Sequence, residues 1–278
     1  MLPKFVSVIA KTKDEALSWL SSLENPKIMA GGTDLMVKMR VGKAYSHVID
    51  VAGIPELLGV SESDGGISIG AAMTHARLSA EGSVVRNARS LSLACGLVGS
   101  PQIRNMGTIG GNLANASPAA DSIPPLLIHD AVLTLESKEA HRKVPLQEAI
   151  VAPYATSIDG KELIASIEIS PLRGYREGYR RVAKRAAWAI SRLGVAFAIR
   201  EENGRFLDAK LAIGSCTPMP FRPKKVEDLL KGAVKNEATI SEAIRMALEE
   251  IKLISGIRPS YAYKLPVLKG ILEEVLRG

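Results

Sequence analysis

Apolar and polar positions change their period several times along the chain, and each change predicts an element. A short apolar run at residues 27–30 predicts a strand, Gly31-Gly32 turns the chain, and helical spacing follows from residue 33 or 34 to 40, with Gly42 ending the helix. The β-rich "HVIDVA" (47–52) and "GISIGAA" (66–72) predict strands, and "THARLSA" leads into an apolar-periodic helix over 84–97. A helix over 122–129 and strands at "AVLTLES" and at 162–170 come next, before a break at Pro171 and Gly174. Between the two helices lies "TIGGNLANASPAADS" (108–122), which is mostly small and polar. With so few bulky apolar side chains it predicts a loop pressed against the core.

Past the break the pattern shifts to "GYRRVAK", "RLGVAFAIREENGRFLDAKLAIGS" and "RPKKVEDLLKG", then to two long helical segments. The apolar runs flanking "ENGR" predict a hairpin, because Asn-Gly supplies positive φ. A boundary near residue 175 therefore separates a small antiparallel sheet backed by helices, an α+β unit, from what precedes it.

At 278 residues and 46% hydrophobic content, the chain has enough apolar surface for more than one core. No apolar run reaches membrane-span length, and the N-terminal stretch is too charged for a secretory signal, so a cytoplasmic, soluble protein is expected. Cys95 and Cys216 lack metal-site spacing and are expected as buried free thiols, with no metal on this chain. Against 29 acidic residues, 36 Lys and Arg give a charge of +7. That excess admits a nucleic-acid partner, but 4% aromatics and the absence of a recognition motif argue for none. The basic stretch 173–192 is open to three readings: a solvated face, a phosphate contact, or a docking surface for an acidic partner.

Gly-Gly at 31–32 and again at 110–111 follows an apolar lead-in and stands beside hydroxyl or amide side chains. Backbone without Cβ atoms reaches positive φ and lets an anion approach, and successive amides form a concavity suited to phosphate. Thr33, Thr108, Ser117, Asn112 and Asn115 add donors and acceptors fit for a pyrophosphate. Neither loop has Walker A or GxGxxG spacing. Asp121 suits both a helix cap and a carboxylate accepting from a ligand's sugar hydroxyls. His75 stands as a base, a flavin attachment point, or a polar residue opening a helix. No catalytic triad is evident.

The stretches "KIMAGGTDL", "IGAAMTHARL", "QIRNMGTIGGNLANASPAADSIPPLL", "LIASIEI", "RPKKVEDLLKG" and "SYAYKLPVLKGIL" extend over nearly the whole chain. On these it resembles the FAD-binding medium subunits of the molybdenum hydroxylase family, which includes carbon monoxide dehydrogenase, xanthine dehydrogenase and archaeal aldehyde oxidoreductases. The resemblance implies an α+β fold. Its N-terminal FAD-binding domain, of the vanillyl-alcohol-oxidase type, would span 1–174 in two α/β subdomains (about 1–55 and 56–174), with a C-terminal domain of small antiparallel sheet and helices over 175–278.

It also implies that Ala30, Gly31, Gly32, Thr33 and Asp34, with Thr108, Ile109, Gly110, Gly111 and Asn112, wrap the diphosphate of non-covalent FAD, largely through backbone amides. Ile28, Met29, Leu35 and Asn115 belong to the same cofactor-binding set. Asp121 would touch the sugar or ribityl region, and Val98 and Ile164 would line the flavin or adenine pocket. Lys184 falls where relatives place a cofactor-proximal cation, although "RVAKRAAWAIS" departs from their usual pattern. The implied assembly is a dimer of heterotrimers with a large molybdopterin-binding subunit and a small subunit carrying two [2Fe-2S] clusters. This chain would be the electron-transfer component, with no catalytic residue of its own. A self-contained FAD-dependent reductase on the same fold is the alternative.

Overall fold

The computed structural model describes residues 2–185 and 190–278. Residues 186–189 of the basic stretch thus lie outside the described residues.

The N-terminal segment forms a parallel sheet from β1 (Val6–Ile9), β2 (Pro26–Met29) and β3 (His47–Asp50), in the order β1-β3-β2. Parallel neighbours require crossovers, and α1 (Lys13–Ser22) and α2 (Leu35–Arg40) provide them. Thr12 starts α1 by accepting a hydrogen bond from the Glu15 amide at 3.2 Å. The helix buries Ala16, Leu17 and Leu20 with Ile49, Val51 and Ile54.

The middle segment is an antiparallel sheet in the order β4-β5-β10-β6-β7, from β4 (Val60–Ser63), β5 (Gly66–Gly70), β6 (Val132–Glu136), β7 (His141–Pro145) and β10 (Leu163–Ile169). Strands β8 (Ile150–Ala152) and β9 (Ala155–Thr156) make a small ribbon after the short α9 (Leu146–Ala149). Between β5 and β6 come six short helices: α3 (His75–Ala80), α4 (Gly82–Asn87), α5 (Arg89–Leu97), α6 (Pro101–Met106), α7 (Ile109–Asn115) and α8 (Ile123–Ile128). Leu78, Leu91 and Ile123 are fully buried among them. Each such side chain contributes about 1.5–3 kcal/mol of transfer free energy.

Two expectations change here. The helix predicted over 84–97 is broken at Ala88, whose φ and ψ are −150° and 58°. Glu177, from a distant strand, accepts from the Arg89 amide that starts α5, and the same carboxylate lies 3.1 Å from His129 Nε2. Such a cap from a remote strand leaves no local signal. Likewise the polar loop over 108–122 is half helix, because Thr108 Oγ1 accepts from the Gly111 amide at 3.1 Å and nucleates α7. Ala116, in the left-handed region at φ 47°, ends it.

The C-terminal segment is the antiparallel sheet β11 (Arg176–Ala183), β12 (Ser191–Glu202) and β13 (Arg205–Gly214), followed by α10 (Lys224–Leu230), α11 (Glu237–Ser255) and α12 (Tyr261–Arg277). Asn203 and Gly204 turn the hairpin at φ 50° and 72°, as their sequence predicts. The apolar run of β12 is continuous because both faces are buried. Leu193, Val195, Phe197 and Ile199 pack with α11 and α12, while Ala196 and Ala198 join the core of the middle segment. Cys95 and Cys216 are buried and unpaired, and among the described residues no helix is long and apolar enough to cross a membrane.

Candidate cofactor site

The chain leaves β2 at Met29 and turns through Gly31 and Gly32 into α2. Gly32 has φ 68°, a conformation costly for a side-chain-bearing residue. Gly31 is required for a different reason. A Cβ there would lie 1.7 Å from the Met106 carbonyl oxygen, so this bend rests directly on the backbone joining α6 to α7. Gly110, one turn later, abuts the end of β5, where its Cβ would meet Ala71 Cβ and carbonyl oxygen at 2.7 Å. Residues far apart in sequence thereby meet at one cleft of about 390 Å³. Small-molecule sites commonly span roughly 300–1,000 Å³.

The two bends differ in their hydrogen bonds. In the second, the amides of Ile109, Gly110, Gly111 and Asn112 donate to Met73 O, Ala71 O, Thr108 Oγ1 and Thr108 O. Its side chains are occupied as well: Asn112 Oδ1 accepts from Ser122 Oγ at 2.7 Å, and Asn115 Oδ1 from Lys38 Nζ at 2.5 Å. In the first bend, by contrast, the amides of Gly31, Gly32, Thr33 and Asp34 donate to no protein acceptor among the described residues, and the Thr33 hydroxyl has no partner there either. The expectation that both bends offer open amides at positive φ is therefore corrected. Gly110 and Gly111 are helical, and their amides are spent on the fold.

Cations reach the same cleft. Lys27, on β2, has its pKa lowered by burial and then by the neighbouring Lys38 charge. Lys38 also sits 5.9 Å from the centroid of the Tyr154 ring. An anion beside these lysines would favour the charged form of Lys27 and so counteract both effects. Neither lysine, nor Tyr154 or Gly107, is in the sequence-predicted set. Lys38 was within reach of it, since it lies one helical turn beyond Asp34 on the same face of α2.

Of the predicted residues, Ile28 through Leu35, Val98, Thr108, Gly110, Gly111, Asn112, Asn115 and Ile164 line the cleft. Ile109, Asp121 and Lys184 do not. Ile109 is a fully buried core side chain, and Lys184 is exposed just beyond β11. Asp121 caps no helix: Ser122 holds the first position before α8, without a side-chain cap bond. Its buried carboxylate accepts from Tyr179 Oη at 2.7 Å and from Ser191 Oγ, and Arg181 Nη1 stands 3.4 Å away. Arg181 also donates to Leu97 O, beside cleft-lining Val98. Asp121 thus ties the middle segment to β11 and β12. Burial raises its pKa against the pull of these partners.

Comparison with known proteins decides the family. The family described as "FAD binding domain in molybdopterin dehydrogenase" matches residues 3–172, and "CO dehydrogenase flavoprotein C-terminal domain" matches residues 178–278. This chain belongs to the FAD-binding subunits of the molybdenum hydroxylases. It is 30% identical over 271 residues to the xanthine dehydrogenase FAD-binding subunit of Escherichia coli O157:H7, covering 96% of this chain and 93% of that one. To the glyceraldehyde dehydrogenase medium chain of Sulfolobus acidocaldarius it is 32% identical, with coverage of 96% and 95%. Carbon monoxide dehydrogenase from Hydrogenophaga pseudoflava superposes with a TM-score of 0.91 at 24% identity, covering 99% and 96%. Quinoline 2-oxidoreductase from Pseudomonas putida 86 gives 0.91 at 25% identity with the same coverage. The fold is therefore that of the medium subunits, as the resemblance implied, and the chain is an oxidoreductase component that binds FAD.

The cleft suits that cofactor. Its open amides, a free hydroxyl and two lysines match a diphosphate, and the glycine at 111 leaves the cleft wall without a side chain.

Proposed function

We propose that this chain is the electron-relay subunit of a molybdenum hydroxylase, holding FAD non-covalently in the cleft between its two glycine bends. Bound FAD would supply the redox chemistry, a relay of electrons from the [2Fe-2S] clusters of a small partner subunit to an external acceptor. Substrate oxidation belongs to a large molybdopterin-binding partner in a dimer of heterotrimers. This chain's residues bind and orient. Open amides at Gly31, Gly32, Thr33 and Asp34 hold the diphosphate, Lys27 and Lys38 offset its charge, and Thr108, Gly111 and Asn112 form the facing wall.

The observation that carries this reading is the four unpartnered amides of the first bend, held against the second bend by a contact only Gly31 permits. In the same reading the FAD-binding domain ends near residue 174. That division is supported by the separate sheets on either side and by family matches that stop at 172 and resume at 178.

The test is direct. The purified full chain, incubated with FAD and passed over a desalting column, retains about one flavin per chain. Denaturation releases that flavin into the supernatant. A folded chain that stays colourless after incubation overturns the reading.

A further inference from the structure

His75 is a buried titratable group with no part in the cofactor contacts described above. It opens α3, behind a Thr74 cap, and its side chain is 2% exposed. The ring nevertheless lines the cleft. Its Nδ1 is sealed from solvent and has no hydrogen-bond partner among the described residues, which is unusual for a buried nitrogen and calls for a reason. Nε2 has no partner among the described residues either, yet it is not sealed as Nδ1 is, so it keeps contact with open space. The ring's orientation locates that space. A Cβ on Gly107 would lie 3.4 Å from His75 Cδ2, the carbon bonded to Nε2, and 3.4 Å from Thr33 Oγ1. The Cδ2–Nε2 edge therefore faces the place where the two bends meet, with Nδ1 turned away from it.

We propose that His75 contacts the cofactor from beneath the two bends, its Nε2–H donating to an oxygen of the bridging phosphates. This rests on the FAD reading above. An orphaned buried N–H is rarer than an orphaned acceptor, so the ring proton belongs on Nε2 and the bare lone pair on sealed Nδ1. Burial holds the imidazole pKa down to about 4, so the ring is a neutral donor at pH 7. A neutral N–H meeting a phosphate oxygen forms a charge-assisted hydrogen bond without burying a further cation.

Dinucleotide fragments separate this contact from the rest of the site. On the flavin-free full chain, ADP carries the diphosphate and riboflavin carries only the flavin. In His75→Phe, ADP affinity falls about tenfold or more, as expected for one lost hydrogen bond to a charged group. Riboflavin affinity stays at the parental value. His75→Gln, whose side-chain Nε2 reaches a similar point, restores most of the ADP affinity. Unchanged ADP binding in His75→Phe overturns the inference, and so does an equal loss for riboflavin, which would move the ring to the flavin end. Should His75→Phe not fold, ¹⁵N-histidine spectra of the unmodified chain decide the matter: the His75 Nε2 resonance shifts on adding ADP, and an unmoved resonance overturns the contact. A parent chain that binds neither FAD nor ADP sinks the cofactor reading itself, and the contact with it.

Discussion

The two glycine bends look alike in sequence and do opposite things with their backbone. The first keeps its amides open and uses positive φ at Gly32 to present them. The second closes its amides onto Met73, Ala71 and its own Thr108, and uses Gly110 to bring a helix against the end of β5. One bend is a donor surface and the other is a wall that holds it in place. A glycine pair therefore specifies closeness of approach, and only the partners of its amides tell whether a ligand or the protein itself is what comes close.

The contact between the bends is the first thing to break. Gly31→Ala places a methyl carbon 1.7 Å from a backbone oxygen, where no side chain can yield. The expected cost is more than about 3 kcal/mol in urea denaturation, with complete loss of flavin. A Gly31→Ala chain that unfolds like its parent and stays yellow would show that the bends need not touch. Gly110→Ala meets Ala71 at 2.7 Å and is expected to cost about 2 kcal/mol. The chain that remains folded keeps its flavin, because the Gly110 amide serves the fold. Flavin loss exceeding the loss of folded protein would move this amide into the ligand-facing set.

Much of this was legible in the sequence, for identifiable reasons. The strand–Gly-Gly–helix order around residues 28–40, the hairpin at Asn203-Gly204 and the shift of pattern near residue 175 are local signals, carried by periodicity and turn residues. Long-range partners were not legible. Glu177 splitting a helix at Ala88, Ala71 accepting from Gly110, and Asp121 turning to Tyr179 and Ser191 all depend on residues brought together only by folding. Asp121 looked ligand-facing because it is the sole charge in a long uncharged stretch. Its isolation instead reflects a buried network in which Arg181 supplies the counter-charge from another sheet.

His75 probes the junction between the bends through pH. Its folded-state pKa is about 4, below the ordinary 6.5, and burial is the cause. Below pH 6.5 the unfolded chain takes a proton that the folded chain refuses, so stability falls with pH until about 4 is reached. Between pH 7 and 5 this group removes about 2 kcal/mol of stability. Denaturant melts of the flavin-free chain at both values, compared with His75→Phe, isolate the contribution, since other titrating groups are common to both proteins. Equal pH dependence in the two would show that His75 is already protonated or well solvated, and the junction more open than described.

The smallest effect on stability, and the sharpest on function, is expected at Gly111. Among the described residues its Cβ would meet Thr108 Oγ1 alone, at 2.9 Å, and the residue is exposed on the cleft wall. Gly111→Val should change unfolding free energy by no more than about 1 kcal/mol, since better helix propensity offsets a local adjustment of the Thr108 cap. The added isopropyl group nonetheless occupies space facing the open amides of the first bend. Flavin content after gel filtration is expected to drop to near zero in a chain whose melting matches its parent. That separation of stability from flavin content is what distinguishes Gly111 from Gly110, its immediate neighbour in the same helix. Full flavin content in Gly111→Val would leave the first bend as the only diphosphate-facing element and reduce the second to a support.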